Sequence, residues 1–364
     1  MTLTSPLAKF DGLELPAAAD FHETIVPLIR TGGVNTVYVM PNLVPPLTSA
    51  SAAMAYKDRL QKLNPEAEVN YLMTLYLHES ITPAVVKGAK AQGIVGIKVY
   101  PAGVTTNSSS GVSSYEPFYP VFRAMEQCGM VLNLHGECPS DHEKNITILN
   151  AESTFLPTLK GLHEKFPNLK IVLEHCTTKE AVEAVNDCGP NVVGTITAHH
   201  LFLTIDDWAD DPFCYWQEAN SPPSKPVAKW PADREALIKA ALAGTGKFFL
   251  GSDSAPHDVK AKRGGSGKTA AGVFTQPYLI PLVMDAFEQA IARKVISEDE
   301  VTVDILKGFL GGHGRKFYGP SSDTRDETII LSRGSEVIQE SFTGQGVEVV
   351  PFRRGQRTWS VKWK

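Results

Sequence analysis

Apolar residues along this 364-residue chain fall into two alternating rhythms. Short, nearly continuous runs rich in β-branched residues occupy 34–40, 68–75, 96–100, 130–135, 170–175, 192–197 and 247–251. Between them lie longer stretches with apolar residues at helical spacing, at 51–63, 82–92, 118–128, 155–166, 179–188 and 233–243. Runs of the first kind are strand-length and apolar on both faces, as strands covered from both sides require. Their alternation with helix-length segments predicts parallel strands joined by crossover helices.

Two architectures share that pattern. A doubly wound dinucleotide fold carries a GxGxxG turn after its first strand, and none is present. Instead, polar residues recur where the predicted strands end: Asn42, Lys98, His135, His175, Thr197 to His200, and Asp253. In a (β/α)8 TIM barrel those ends converge on one face, where active sites are built. The expected fold class is therefore α/β, a (β/α)8 barrel forming one domain over 1–364. The segment 328–364 reads as a β-rich extension packing on it.

Composition is that of an ordinary globular protein, 43% hydrophobic and 21% charged. A net charge of −5 offers no electrostatic footprint for nucleic acid or an anionic membrane. No apolar run approaches the roughly 20 residues that span a bilayer. Residues 1–15 lack the basic and apolar regions of a signal peptide, so the expected location is cytoplasmic. The five cysteines (Cys128, Cys138, Cys176, Cys188 and Cys214) are odd in number and lack CxxC spacing, which points to free thiols. Gly265 to Thr269 imitates a phosphate loop, but Lys262 stands where its first glycine belongs.

The strand-end residues carry the candidate chemistry. His135 and His175 each close an apolar run, and neutral imidazole held on a rigid strand end is a common metal ligand. Asp253 follows a later strand, where a carboxylate can ligate a metal and also act as general base. His257, four residues on, falls in a loop suited to an anionic substrate group. Lys98 sits inside the apolar 96–100 run, and burial of an ammonium drives it toward the neutral amine. A neutral amine reacts with CO2 to give a carbamate, an anionic oxygen ligand. The Gly-, Ser- and Thr-rich segment 101–111 reads as a candidate lid after the lysine strand.

The words around these residues are specific. Met40-Pro-Asn42, Gly96-Ile-Lys-Val-Tyr-Pro-Ala-Gly103, Thr105-Thr-Asn-Ser108, Asn133-Leu-His-Gly-Glu137, Leu173-Glu-His-Cys176, His199-His-Leu-Phe202, Gly251-Ser-Asp-Ser-Ala-Pro-His257 and Ala271-Gly-Val-Phe274 resemble dihydroorotase. The likeness is to the single-function type of fungi and many bacteria, within the binuclear zinc amidohydrolases. It implies zinc-dependent, reversible cyclisation of N-carbamoyl-L-aspartate to (S)-dihydroorotate in pyrimidine (UMP) synthesis. It implies two zinc ions per subunit bridged by carboxylated Lys98, with His135 and His175 on one metal and His22 and Asp253 on the other. Asp253 would pass the proton of attacking water to the leaving nitrogen. Asn42, Thr105, Thr106, His257, Ala271 and Gly272 match substrate contacts, and a homodimer is the family expectation.

One motif departs from the family. Its first strand ends in His-x-His-x-Arg, whereas this chain reads Ala19-Asp20-Phe21-His22-Glu23-Thr24. His22 matches the first histidine, and the second histidine and the arginine are missing. A metal ligand and a bidentate grip on the substrate carboxylate are thereby lost. The stretch 212–224 is also longer than the family's and lacks a cysteine before Lys225-Pro226. These departures keep two further readings: a related cyclic-amide hydrolase of the dihydropyrimidinase or hydantoinase kind, and a catalytically inactive dihydroorotase-like scaffold.

Overall fold

Side-chain parity along each strand sorts this protein into an inside and an outside. The computed structural model describes residues 5–23, 26–63, 65, 68–105, 107–208, 225–262, 270, 272–319, 327–344 and 346–364; within these, the side chains of 21–23, 26, 208 and 335 lie outside the description. After a short strand β1 (Leu13–Pro16), the parallel strands are β2 (Ala18–Glu23), β3 (Val34–Val39), β4 (Asn70–Leu72), β5 (Thr74–Tyr76), β6 (Gly96–Val99), β7 (Val131–His135), β8 (Ile171–Glu174), β9 (Val192–Ile196) and β10 (Phe248–Leu250). They pair in sequence order as β2-β3-β4 and as β5 through β10. The predicted strand 68–75 is thus two short strands broken at Met73. Taking β4 and β5 as halves of one strand, the described residues form the eight strands of the expected barrel. Its seam lies between β10 and β2, where the Ser252 N–H donates to Asp20 Oδ1 at 2.8 Å.

Alternate residues face opposite ways on a strand. Tyr38, Val172 and Phe249 join the cluster inside the barrel, while Val37, Val39, Ile171, Leu173, Phe248 and Leu250 join the shell beneath the helices. The same parity turns Lys98, Asn133, His135 and Glu174 inward, because Ile97, Val99, Leu132, Leu134 and Leu173 face the helices.

The crossover helices are α1 (Ala50–Leu63), α2 (Pro83–Ala91), α3 (Tyr119–Cys128), α4 (Ala151–Lys165), α5 (Lys179–Asp187) and α6 (Pro231–Leu242). Thr82 and Thr178 cap α2 and α5 by accepting the N–H of Val85 and Ala181. Helix α6 begins at Pro231, where proline's fixed φ suits the first turn, two residues before the apolar spacing starts. After the short α7 (Val259–Lys262), α8 (Leu279–Ala292) has no counterpart among the expected helices. Its residues from Leu279 to Phe287 are all buried. Two further helices, α9 (Val303–Lys307) and α10 (His313–Tyr318), precede the C-terminal segment.

That segment contains β11 (Thr328–Val337), β12 (Phe342–Gly344), β13 (Val347–Val349) and β14 (Arg357–Trp363). β11 lies between β1 and β14 in an antiparallel sheet, which joins both ends of the chain. Thr358 donates to Asp285 Oδ2 on α8 at 2.7 Å, and the Trp363 indole donates to Arg30 O at 2.8 Å. Among the described residues no helix is long and apolar enough to cross a membrane.

Candidate active site

Lys98 lies wholly inside the barrel, with 0% of its surface exposed. Burial pushes its amine well below the ordinary lysine value, against the opposing field of the Asp253 carboxylate. Its ammonium group meets the buried carboxylate of Glu174. Below that pair, Asn133 donates to Glu174 Oε1 and to the Tyr318 hydroxyl, each at 2.7 Å, and accepts the Tyr38 hydroxyl at 2.7 Å. Parallel pairing sets Lys98 beside Asn133 and His135 beside Glu174, so the network follows directly from register.

His135 closes β7, and its Nε2 lies 2.8 Å from Glu137 Oε2. Burial lowers the imidazole pKa and outweighs the help of Glu137. Burial alone would raise the Glu137 carboxyl, yet its bond to His135 and the fields of His135, Lys229 and Lys225 bring it below the ordinary value. A neutral imidazole donating Nε2–H to a carboxylate satisfies both directions, and it leaves Nδ1 as a lone-pair donor.

The His175 ring centroid stands 4.8 Å from that of His135. His175 has φ of 44° and Asp253 of 45°, left-handed values that non-glycine residues adopt at some cost. Both strained residues sit where a strand ends. The His175 N–H is held by Thr195 Oγ1 at 2.7 Å. The turn that follows is anchored from α4: buried Glu152 accepts the Thr177 N–H and Thr177 hydroxyl, each at 2.9 Å, and also the Thr178 hydroxyl. Buried Lys229 donates to Thr177 Oγ1 at 2.6 Å, which completes a relay from ammonium to hydroxyl to carboxylate.

The remaining predicted residues fall into two neighbourhoods. Asn107 donates to Asn42 O at 2.9 Å, tying the 101–111 loop, with Thr105, over the end of β3. Gly272 packs on the Asp253–His257 loop, where an added Cβ would lie 2.4 Å from Ala255 O. A bridge between Ser254 and Val273 joins the two segments. His257 is partly exposed there. His200 is a core histidine, held by Thr197 Oγ1 at 2.7 Å and Pro226 O at 3.1 Å, with its pKa driven to about 3 by burial and then by Lys229. The side chain of His22, and residues Thr106, Ala271, Cys214, 212–224 and 265–269, lie outside the described residues. The four described cysteines are free.

Sequence patterning missed the carboxylates that partner these groups. Glu137 and Glu174 stand beside His135 and His175 in the chain, so the signal was present, but adjacency does not tell which one meets the lysine. Glu152 and Lys229 carried no signal.

The donor chemistry fits a metal: Asp253 and the desolvated Lys98 act on each other and on His135, and His175 stands ring to ring with His135. In this arrangement Lys98 and His135 are each turned to a carboxylate. Among the described residues no group of three or more His, Cys, Asp or Glu side chains is disposed to hold a cation.

The profile described as Amidohydrolase matches residues 76–264. A probable dihydroorotase of Schizosaccharomyces pombe is 46% identical over 97% of this chain and 99% of that protein. The dihydroorotase of Saccharomyces cerevisiae is 43% identical over 94% and 93%. The chain belongs to the dihydroorotase family. A crystal structure of the Saccharomyces cerevisiae dihydroorotase in complex with 5-fluoroorotic acid superposes with a TM-score of 0.85 at 41% identity, covering 96% of this chain and 99% of that one. The dihydroorotase of Campylobacter jejuni gives 0.82 at 31%, covering 100% and 99%. These relatives establish a metal-dependent hydrolase of cyclic amides on an α/β barrel.

Proposed function

We propose that this protein catalyses the reversible cyclisation of N-carbamoyl-L-aspartate to (S)-dihydroorotate, serving pyrimidine synthesis in the cytoplasm. Its near full-length similarity to dihydroorotases supports this reading. What carries it is the pairing of His135 with His175, ring to ring, and the field of Asp253 at both Lys98 and His135. As a carbamate, Lys98 would supply oxygen ligands to two zinc ions, with His135 and His175 at one and Asp253 at the other. Zinc bound there would supply Lewis acidity toward the ring carbonyl and make water a better nucleophile.

The chain's own groups do the rest. The low amine pKa of Lys98 favours the neutral form that carboxylation requires. Glu137 fixes the His135 tautomer, and the Glu152 relay fixes the turn after His175. Asp253 takes a proton in the hydrolytic direction and returns it to the leaving nitrogen. Asn42, Thr105, Thr106, His257, Ala271 and Gly272 receive the substrate, with His257 facing its carboxylate. The absent histidine and arginine after His22 lower metal affinity and acidic-substrate grip, so turnover falls below that of relatives with the complete motif. The same reading takes 1–364 as one catalytic domain with 328–364 as its extension, acting as a homodimer.

Purified protein should hold about two zinc ions per chain and hydrolyse dihydroorotate in preference to dihydrouracil. Preference for dihydrouracil would favour a hydantoinase-like enzyme. No turnover of either, unrestored by inserting the missing His-x-Arg block, would leave a scaffold.

A further inference from the structure

Beside the metal-type residues, but outside the set assigned to substrate, lies a cavity of about 1020 Å3 bounded by residues 112–116, 137–139, α3 and α4. Its volume is at the upper end of small-molecule pockets, roughly 300–1,000 Å3. Two of its lining residues hold buried polar atoms with no hydrogen-bond partner among the described residues: Oε1 of Glu137 and the hydroxyl of Tyr115. Glu137 is only 1% exposed. Its other oxygen is the one bonded to His135. An unmatched carboxylate oxygen costs free energy until a donor meets it.

The walls define what that donor is attached to. Tyr115 and Phe155 lie with ring centroids 6.0 Å apart, and Tyr119 adds a third ring to the lining. The ammonium of Lys165 already lies 4.6 Å from the Tyr119 centroid, so an aromatic face here accepts a cation. Of the charged residues lining the cavity, Glu116, Glu137 and Glu164 are acidic and Lys165 alone is basic. An anionic ligand would be repelled, and an aromatic wall favours a flat body.

We infer that this cavity is a second small-molecule site, taking a planar cation whose N–H groups pair with Glu137 and Tyr115. A ligand there is one carboxylate away from His135, so occupancy is sensed at the strand end. The inference does not depend on which cyclic amide the enzyme turns over.

Benzamidine, a flat amidinium, is the probe, and benzoate has the same ring with the opposite charge. Calorimetric or NMR titration of the full-length wild-type protein should show saturable benzamidine binding, with benzoate about tenfold weaker or worse. Glu137→Gln should weaken benzamidine about tenfold and Tyr115→Phe about threefold, as loss of a charged and a neutral hydrogen bond predicts. Glu164→Gln, at an exposed position on α4, should weaken it modestly and guards against a variant that fails to fold. The imidazole resonances of His135 should shift on titration. No saturation, equal binding of benzoate, or unchanged affinity in all three variants would overturn the inference.

Discussion

Removing the Glu152 carboxylate is the sharpest test of how the site is held. Glu152→Ala takes away the acceptor of the Thr177 N–H and of two hydroxyls in the turn after His175. The hydroxyls can rotate to other partners, but the N–H cannot, and a buried unsatisfied donor costs about 1–3 kcal/mol. Lys229 is 2% exposed, and its ammonium reaches the carboxylate through the Thr177 hydroxyl. Breaking a directly bonded buried charge pair on one side costs about 3–5 kcal/mol, and the cost here is lower because Lys229 keeps the field of Glu137 and its bond to Val227 O at 3.1 Å. The two costs share atoms and do not add. The expected loss is about 2–4 kcal/mol, a large part of a typical stability of roughly 5–15 kcal/mol. Urea unfolding followed by circular dichroism would measure it, with the slope unchanged if only stability moves. The double variant Glu152→Ala with Lys229→Met should recover part of the loss, since no ammonium remains buried. A single-variant loss under about 1 kcal/mol, or a double variant as unstable as the sum of the two, would refute the reasoning.

Two further outcomes follow from the structure. Burial raises the Asp285 carboxyl to about 6, against the Thr358 hydrogen bond and the field of Arg353. Its unfolded value is about 3.9, so from there to about 6 the folded state keeps a proton the unfolded state has lost, and stability falls as pH rises. Asp285→Asn should therefore stabilise the protein by about 1–3 kcal/mol at pH 7.5 and hardly at pH 4, and equal gains in melting experiments at both pH values would count against it. Asp253→Asn keeps a residue that tolerates positive φ while removing the base, so kcat should fall about 100- to 10,000-fold; a kcat within tenfold of wild type would exclude the assigned role.

Much of this protein was legible along the chain because its barrel is built from local rhythms. Six of the seven expected strands and all six expected helices match observed elements to within a few residues. The seventh strand, 68–75, divides because Met73 interrupts the pairing, a matter of neighbouring strands that the apolar run does not encode. Helix α8 had no counterpart among the expected helices, although it is an apolar helix whose residues from Leu279 to Phe287 are all buried.

By itself the sequence determined the α/β alternation, the burial of Lys98 within an apolar run, and the placing of His135, His175 and Asp253 at strand ends, since all of these follow from short-range spacing. Tertiary structure decided which carboxylate meets which base. Glu174 reaches Lys98 from two strands away, and Lys229 reaches Thr177 across 52 residues. It also decided that β1 and the C-terminal strands share a sheet. Such pairings depend on how strands are registered and how a closed barrel folds distant segments together, and no local pattern of side chains carries that information.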